Sequence, residues 1–264
     1  MSAISCVQLS HRGLLRLTGN DVSSFLQGLL TNDIRKLNNS PIIYALFLNN
    51  RGRIVEDLIL RRKGACEFLV ECDLGSRLEL KRKFEMYRMH KQVTIEPADT
   101  PIYFINNGEY ENAVADPRVV DFGCRLLSEI PPNCCKMSLA DYQKRRYEFG
   151  IAEGRVETGD QLPLVMNGDI MNGISEDKGC YIGQELTARS LHTLFTRKRV
   201  VPFTCKGKVS GNVVDETGKK VGRVIACEGG FGIAILKLSA SNLSTEQGPI
   251  TPYFPKWWPK NLKT

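Results

Sequence analysis

The chain lacks any apolar run approaching the roughly 20 residues that a bilayer-spanning helix needs. Its longest apolar stretches, "PIIYALFL" and "FGIAILKL", have the length of buried strands. No C-x-x-C pair and no zinc-type spacing occurs among nine cysteines and three histidines, which excludes the common zinc modules. Absence of an internal repeat or a low-complexity tract excludes solenoid and fibrous architectures. The opening "MSAISCVQLSHRGLLRL" is too short and too polar for a secretory signal, and it is not an Arg-rich amphipathic transit peptide.

What is present describes a soluble globular chain. Its 264 residues suffice for one large or two ordinary domains with a real core. Apolar residues make up 42% and charged residues 25%, both ordinary values. A net charge of +7 attracts anionic partners without naming one. The basic clusters Arg61-Arg62-Lys63, Lys81-Arg82-Lys83, Lys144-Arg145-Arg146 and Arg197-Lys198-Arg199 read as solvated helix faces or loops. Nucleic-acid binding is not expected, because no sequence signal gathers these residues with stacking aromatics. A chain with such a core needs no disulfide framework, so reduced thiols in a cytosolic or organellar matrix compartment are expected.

The patterning predicts a strand over Gly13–Leu17. A helix follows, with Val22, Phe25, Leu26, Leu29 and Leu30 on one face and Asn20 or Asp21 as cap. Strands are expected at "IIYALFLN", "RIVEDLILRR" and "CEFLVEC", the first two joined by a turn at Asn49–Gly52. "LGSRLELKRKFEMYR" has helical spacing with Leu74, Leu78, Phe84 and Tyr87 as the buried face. Further strands fall at "KQVTIEP", "PIYFIN" and within "AVADPRVVDFGCRLL". Pro131-Pro132 breaks the chain before a helix capped by Ser138 and closed by Gly150. "LPLVMNGDIMNG" is expected to be irregular. Beyond Arg199, short apolar runs alternate with glycine turns, predicting four or five strands of a small barrel or sandwich. The proline-rich tail should lie on the surface or dock through Trp257 and Trp258.

The stretch "ISEDKGCYIGQELTAR", Ile174 to Arg189, carries the chemistry. Gly179 and Gly183 permit a tight loop, and Gly183-Gln184 opens a helix, placing Cys180 just before its positive end. That end and Lys178 stabilise a thiolate, while Glu176 and Asp177 oppose it. A thiolate there is a nucleophile or a soft-metal ligand; a buried, inert sulfur is the alternative. One thiol cannot hold a cluster, which takes about four ligands. Glu185 either complements the helix dipole or accepts two parallel hydrogen bonds from an amidine-like ring edge.

"KGCYIGQE" matches residue for residue the K-G-C-Y-x-G-Q-E signature of the YgfZ family of folate-binding-fold proteins: Lys178, Gly179, Cys180, Tyr181, Gly183, Gln184 and Glu185. The run from "MNGIS" to "RKR" is most similar to the family's eukaryotic, mitochondrial iron–sulfur branch. "HRGLLRLTGNDVSSFLQGLLTND" and "FLNNRGRIVEDLIL" resemble the family's N-terminal half. The resemblance implies an α+β fold like the T-protein of the glycine cleavage system, a ring of three subdomains of which the last is a small antiparallel β-barrel. It implies a motif-bearing region over residues 1–197, made of two intertwined subdomains, and a barrel with its tail over 198–264.

The resemblance further implies a non-enzymatic assembly factor of the mitochondrial matrix, acting with A-type iron–sulfur scaffold proteins to mature [4Fe–4S] apoproteins. Cys180 would be a ligand of a transient cluster shared with the scaffold. Asn32, Asp57 and Glu185 lie where folate-fold relatives place pterin- or substrate-facing groups, so tetrahydrofolate is a candidate cofactor. Their alternative roles are strand-end solvation and helix capping. Two other functions stay open: folate-dependent aminomethyl transfer, and a factor associated with tRNA modification.

Overall fold

A computed structural model describes residues 4–106, 110–129, 134–193 and 198–263. In chain order the first elements are β1 (Ser5–Gln8), β2 (Arg12–Thr18), α1 (Val22–Leu29), β3 (Ile43–Leu48), β4 (Ile54–Gly64), β5 (Glu67–Asp73), α2 (Arg77–Arg88) and β6 (Thr94–Ala98). Then come β7 (Ile102–Ile105), β8 (Val114–Ala115), β9 (Cys124–Leu127), β10 (Cys135–Lys136), α3 (Leu139–Glu148), α4 (Arg155–Thr158) and α5 (Gln184–Thr193). The last strands are β11 (Lys198–Cys205), β12 (Asn212–Val214), β13 (Lys220–Glu228), β14 (Phe231–Lys237), β15 (Ser244–Thr245) and β16 (Gly248–Pro252).

These strands form two five-stranded sheets and a closed barrel. The first sheet is antiparallel, in the order β3-β4-β5-β2-β6. Its strands explain the continuous apolar runs, because both faces are buried. Ile43, Ala45 and Phe47 point to one core with α1 and α2, whereas Tyr44, Leu46 and Leu48 point to a second core shared with the other sheet and α3. The second sheet runs β10-β1-β7-β9-β8, with only β1 and β10 parallel. The barrel closes as β11-β14-β13-β12-β15-β16. Six strands replace the four or five expected, because short β15 and proline-flanked β16 carry too few apolar residues to register as strands.

Most predicted elements are present. Four apolar residues of α1 and Leu30 at its C-cap are buried, although Asp21 at the N-cap makes no side-chain capping bond. Ser138 and Asp141 form a reciprocal capping box on α3, and Gly150 closes it with φ of +70°. Trp258 is buried in the barrel core, and Trp257 donates through Nε1 to the Phe149 carbonyl at 3.1 Å, so the tail docks as expected. The Pro131-Pro132 break lies outside the described residues.

Three expectations need correction. The buried face of α2 is Leu80 and Phe84, with Tyr87 beside them; Leu78 is 57% exposed and Leu74 42% exposed. Helical spacing alone admits either stripe, and the edge-to-face contacts of Phe84 with Phe25 and Phe47 select this one. Not all thiols are free: the parallel pairing of β1 with β10 brings Cys6 to Cys134, 128 residues apart, in a disulfide. Finally, two residues of the basic clusters are buried and Arg61 is half-buried. Arg146 is only 2% exposed, Arg199 is 3% exposed and pairs with Asp169, and Arg61 donates to the Arg125 carbonyl.

The α2 correction has a direct test. Phe84→Ala should lower stability by about 3–5 kcal/mol, whereas Leu78→Ala should stay within about 0.5 kcal/mol. Chemical denaturation of both variants checks this, and equal losses would restore the first stripe.

Candidate functional site

The motif loop is clamped at both ends while its cysteine stands in solvent. Lys178 is buried, and its ammonium donates to the Gln27 carbonyl at the end of α1. The Gln27 side chain returns the contact, donating to the Lys178 carbonyl at 3.0 Å, and also accepts from the Ile34 amide at 2.9 Å. Ser175 donates to Thr31 and Ile182 to Gly28 through their backbone amides. The Lys178 ammonium lies 4.7 Å from the centre of the Tyr181 ring, a cation–π contact. Burial pushes this ammonium down to about 8, with Asp33 opposing the shift. Burial likewise pushes the Tyr181 phenol up to about 12.

Gly183 is required by its surroundings. Its φ is +76°, and a side-chain carbon there would lie 2.3 Å from the Asn49 carbonyl oxygen and 3.0 Å from Leu48. The backbone of the motif therefore packs directly on the turn between β3 and β4, where Gly52 provides the matching approach. Gln184 opens α5 as predicted, and its side chain accepts from the Tyr181 amide at 3.0 Å. Between these clamps Cys180 is exposed, which removes the buried, inert alternative. Gly179 also has positive φ, +86°, but open space around it.

Asn32, Asp57 and Glu185 do not come together. Asn32 is saturated: it donates to the Tyr44 and Asn172 carbonyls and accepts from the Asp33 amide and the Lys36 ammonium. It is a bracket between β3 and the irregular segment before the motif. Asp57 is wholly buried and accepts from Arg12 at 3.3 Å and from the Gly154 amide at 2.8 Å. Glu185 is exposed and lines a small surface depression of about 240 Å³ with Asn50, Arg51 and Arg189. A separate cavity of about 450 Å³, lined by Asn32, Tyr44, Asp116 and Asn172, has a volume that suits a small ligand. Neither Asp57 nor Glu185 reaches it, and the Asn32 and Asp116 side chains are already engaged internally. Neither of these two cavities is lined by all three residues.

Sequence reading missed a buried charge network beside Asp57. Arg12, Arg118, Arg125 and Arg146 meet Asp57, Glu71, Asp116 and Glu153, all nearly inaccessible. Glu153 accepts from Arg118 at 2.8 Å, Arg125 at 2.6 Å and the Tyr142 hydroxyl at 2.9 Å, and its other oxygen sits 2.9 Å from His11 Nε2. Burial works against its ionisation, yet Arg118 and Arg125 hold the carboxylate well below the usual range. The same arginines hold Asp116 at about 2 against burial. Glu56, adjacent in sequence, has no arginine fork of its own. Burial, then the neighbouring Asp57, push it up to about 7. The only sequence signal was the pairing of acid and arginine in "ADPR" and "AEGR", which composition reads as surface.

Among the described residues no group of three or more His, Cys, Asp or Glu side chains could hold a metal ion, and no helix is long and apolar enough to cross a membrane. The chain matches two family descriptions: the GCVT N-terminal domain over residues 1–105, and the CAF17 C-terminal beta-barrel domain over residues 197–260. It is 33% identical to "Iron-sulfur cluster assembly factor IBA57, mitochondrial" of Mus musculus, over 99% of this chain and 87% of the relative. The Homo sapiens protein of that name is 32% identical over 98% of this chain and 86% of its own length. Among solved structures, the glycine cleavage system aminomethyltransferase T from Bartonella henselae superposes with a TM-score of 0.77. That match covers 97% of this chain and 86% of that one at 13% identity, a likeness of fold.

Two outcomes follow from the geometry. Gly183→Ala should cost roughly 2 kcal/mol or more in denaturant unfolding, through clash and backbone strain together, and Gly179→Ala roughly 1 kcal/mol through strain alone. Glu56 binds protons more tightly folded (about 7) than unfolded (4.5), so its contribution is fully present below about pH 4.5 and is lost as pH rises through 7. Glu56→Gln should flatten that decline by up to about 3 kcal/mol, read from unfolding curves between pH 5 and about 8.

Proposed function

The chain belongs to the IBA57 family of mitochondrial iron–sulfur cluster assembly factors, and on that premise we propose that it acts in iron–sulfur cluster assembly by lending Cys180 to a cluster shared with a partner. The observation that carries this reading is the pairing of an exposed thiol with an immobilised loop. Cys180 is open to solvent, whereas Lys178, Tyr181, Gly183 and Gln184 on either side are fixed by hydrogen bonds, ring contact or close backbone approach.

The chemistry follows from ligand count. A [4Fe–4S] cluster takes about four protein ligands. Cys180 stands without metal-binding companions among the described residues, so the remaining ligands come from a second molecule. An A-type scaffold, which brings its own thiolates, is the partner this arrangement suits, and [4Fe–4S] apoproteins of the mitochondrial matrix are the recipients. The chain's part is to present one sulfur in a fixed place. On this reading residues 1–197 form the cluster-facing region and 198–264 the supporting barrel and tail. Aminomethyl transfer gains no support: its candidate carboxylate, Asp57, is sealed from solvent, with Oδ1 held by Arg12 and the Gly154 amide and Oδ2 buried without a partner.

The test mixes the purified protein with an A-type scaffold and a cluster source, and follows a coloured heterocomplex by absorbance and gel filtration. Cys180→Ala should lose the complex, while Cys66→Ala and Cys135→Ala, which remove other exposed thiols, should retain it. A Cys180→Ala protein that forms the same species with the same lifetime would sink the ligand assignment.

A further inference from the structure

The barrel holds a second pair of sulfurs that the motif does not use. Cys205 ends β11 and Cys227 lies near the end of β13, two strands away across β14. Their sulfurs nevertheless stand 3.4 Å apart. On the intervening strand Gly232 lies between them in register, paired with Cys227 on one side and Phe203 on the other, and adds no side chain there. Cys205 itself bonds through its amide to Gly230 in the β13–β14 turn. Both thiols also face the Gly207 carbonyl, Cys205 at 3.2 Å and Cys227 at 3.8 Å, so one backbone oxygen gathers them. Each is half-buried at the end of the barrel core and reachable from solvent.

We propose that Cys205 and Cys227 form a reversible dithiol–disulfide site whose co-reactant is a low-molecular-weight disulfide of the glutathione type. The thiolate of one cysteine attacks the small disulfide, breaking its sulfur–sulfur bond, forming a mixed disulfide and releasing one small thiolate. The second cysteine then attacks the mixed disulfide, closing the protein bond and releasing the second. Two protein thiols lose two electrons and two protons, and one small disulfide becomes two thiols. Preorganised sulfurs favour closure over a persistent mixed adduct, because the second attack is intramolecular. The bond would tie β11 to the β13–β14 hairpin, which packs on α3 through Lys144 over the Phe231 ring at 5.2 Å. Burial, followed by the contact with Cys227, pushes the Cys205 thiol up to about 11, so exchange is slow and equilibrium is the proper readout. The site is independent of Cys180, which lies on a different element.

The experiment equilibrates the full chain in buffers of reduced and oxidised glutathione, quenches with an alkylating reagent and maps digested peptides by mass. A peptide pair joined through Cys205 and Cys227 should appear as the oxidised fraction rises and vanish in excess reduced glutathione. Cys205→Ser and Cys227→Ser should each lose the pair and leave a glutathione adduct on the remaining cysteine. Independent alkylation of both cysteines at every ratio, or separate adducts on each in the unmutated chain, overturns the proposal. The same oxidation should raise the melting temperature of the unmutated chain by several degrees but not that of the double serine variant. An equal rise in both assigns the effect to Cys6 and Cys134 and also overturns it.

Discussion

The Glu153 carboxylate is the point at which the two sheets and α3 meet. Arg125 reaches it from the second sheet, Tyr142 and Arg146 from α3, and Arg118 from the segment between β8 and β9, while Arg125 also links it to Glu71 of the first sheet. Four buried arginines face four buried carboxylates, so the cluster is neutral as a unit and costly in any part. Removing one member leaves a buried charge without its counterion, which typically costs about 3–5 kcal/mol. Glu56 shows where the balance ends. A fifth carboxylate beside Asp57 finds no arginine to itself and is driven toward its neutral form. The network thus fixes the distance between β4 and the turn before α4, since Asp57 accepts from the Gly154 amide.

The same network explains why part of the molecule was legible in sequence and part was not. Periodicity found the strands, α1 and the start of α5, because each buries an apolar stripe or face. It found the barrel because glycine turns recur between short apolar runs. It placed the stripe of α2 on Leu78 rather than Leu80, because spacing cannot tell which of two adjacent rows meets Phe25 and Phe47. Arginine was the deeper failure. A run such as Lys144-Arg145-Arg146 reads as solvated, yet helix geometry turns Lys144 toward the Phe231 ring and Arg146 into the core. Whether an arginine is buried depends on carboxylates that are far away in sequence, and Glu71 with Arg125 is such a pair.

The site divides along the same line. Local properties of "KGCYIGQE" were readable, namely the tight loop and the helix start, whereas the exposure of Cys180 was not. The supports were not, because Gln27, Gly28, Thr31 and Gly52 come from segments more than a hundred residues earlier. Exposure alone would not single out Cys180, since Cys66 and Cys135 are exposed as well. What distinguishes it is that its loop can neither slide nor turn. Gly183 is locked against Asn49, and Lys178 is locked under α1.

A transferase fold with a different task is coherent on these grounds. A folate enzyme needs a carboxylate that faces its substrate and can hold or release a proton at the reacting centre. Here Asp57 is sealed from solvent, with one carboxylate oxygen bound by Arg12 and a backbone amide. The exposed thiol of Cys180 stands instead at the surface, on a loop that the interior holds from behind. Interior charge pairing and exterior sulfur chemistry are therefore complementary. The network makes the first sheet and its turn stiff enough to act as a base for Gly183, and that base lets a single solvent-facing thiol keep one position. A ligand shared with a second molecule needs that constancy, because each partner supplies only part of the coordination.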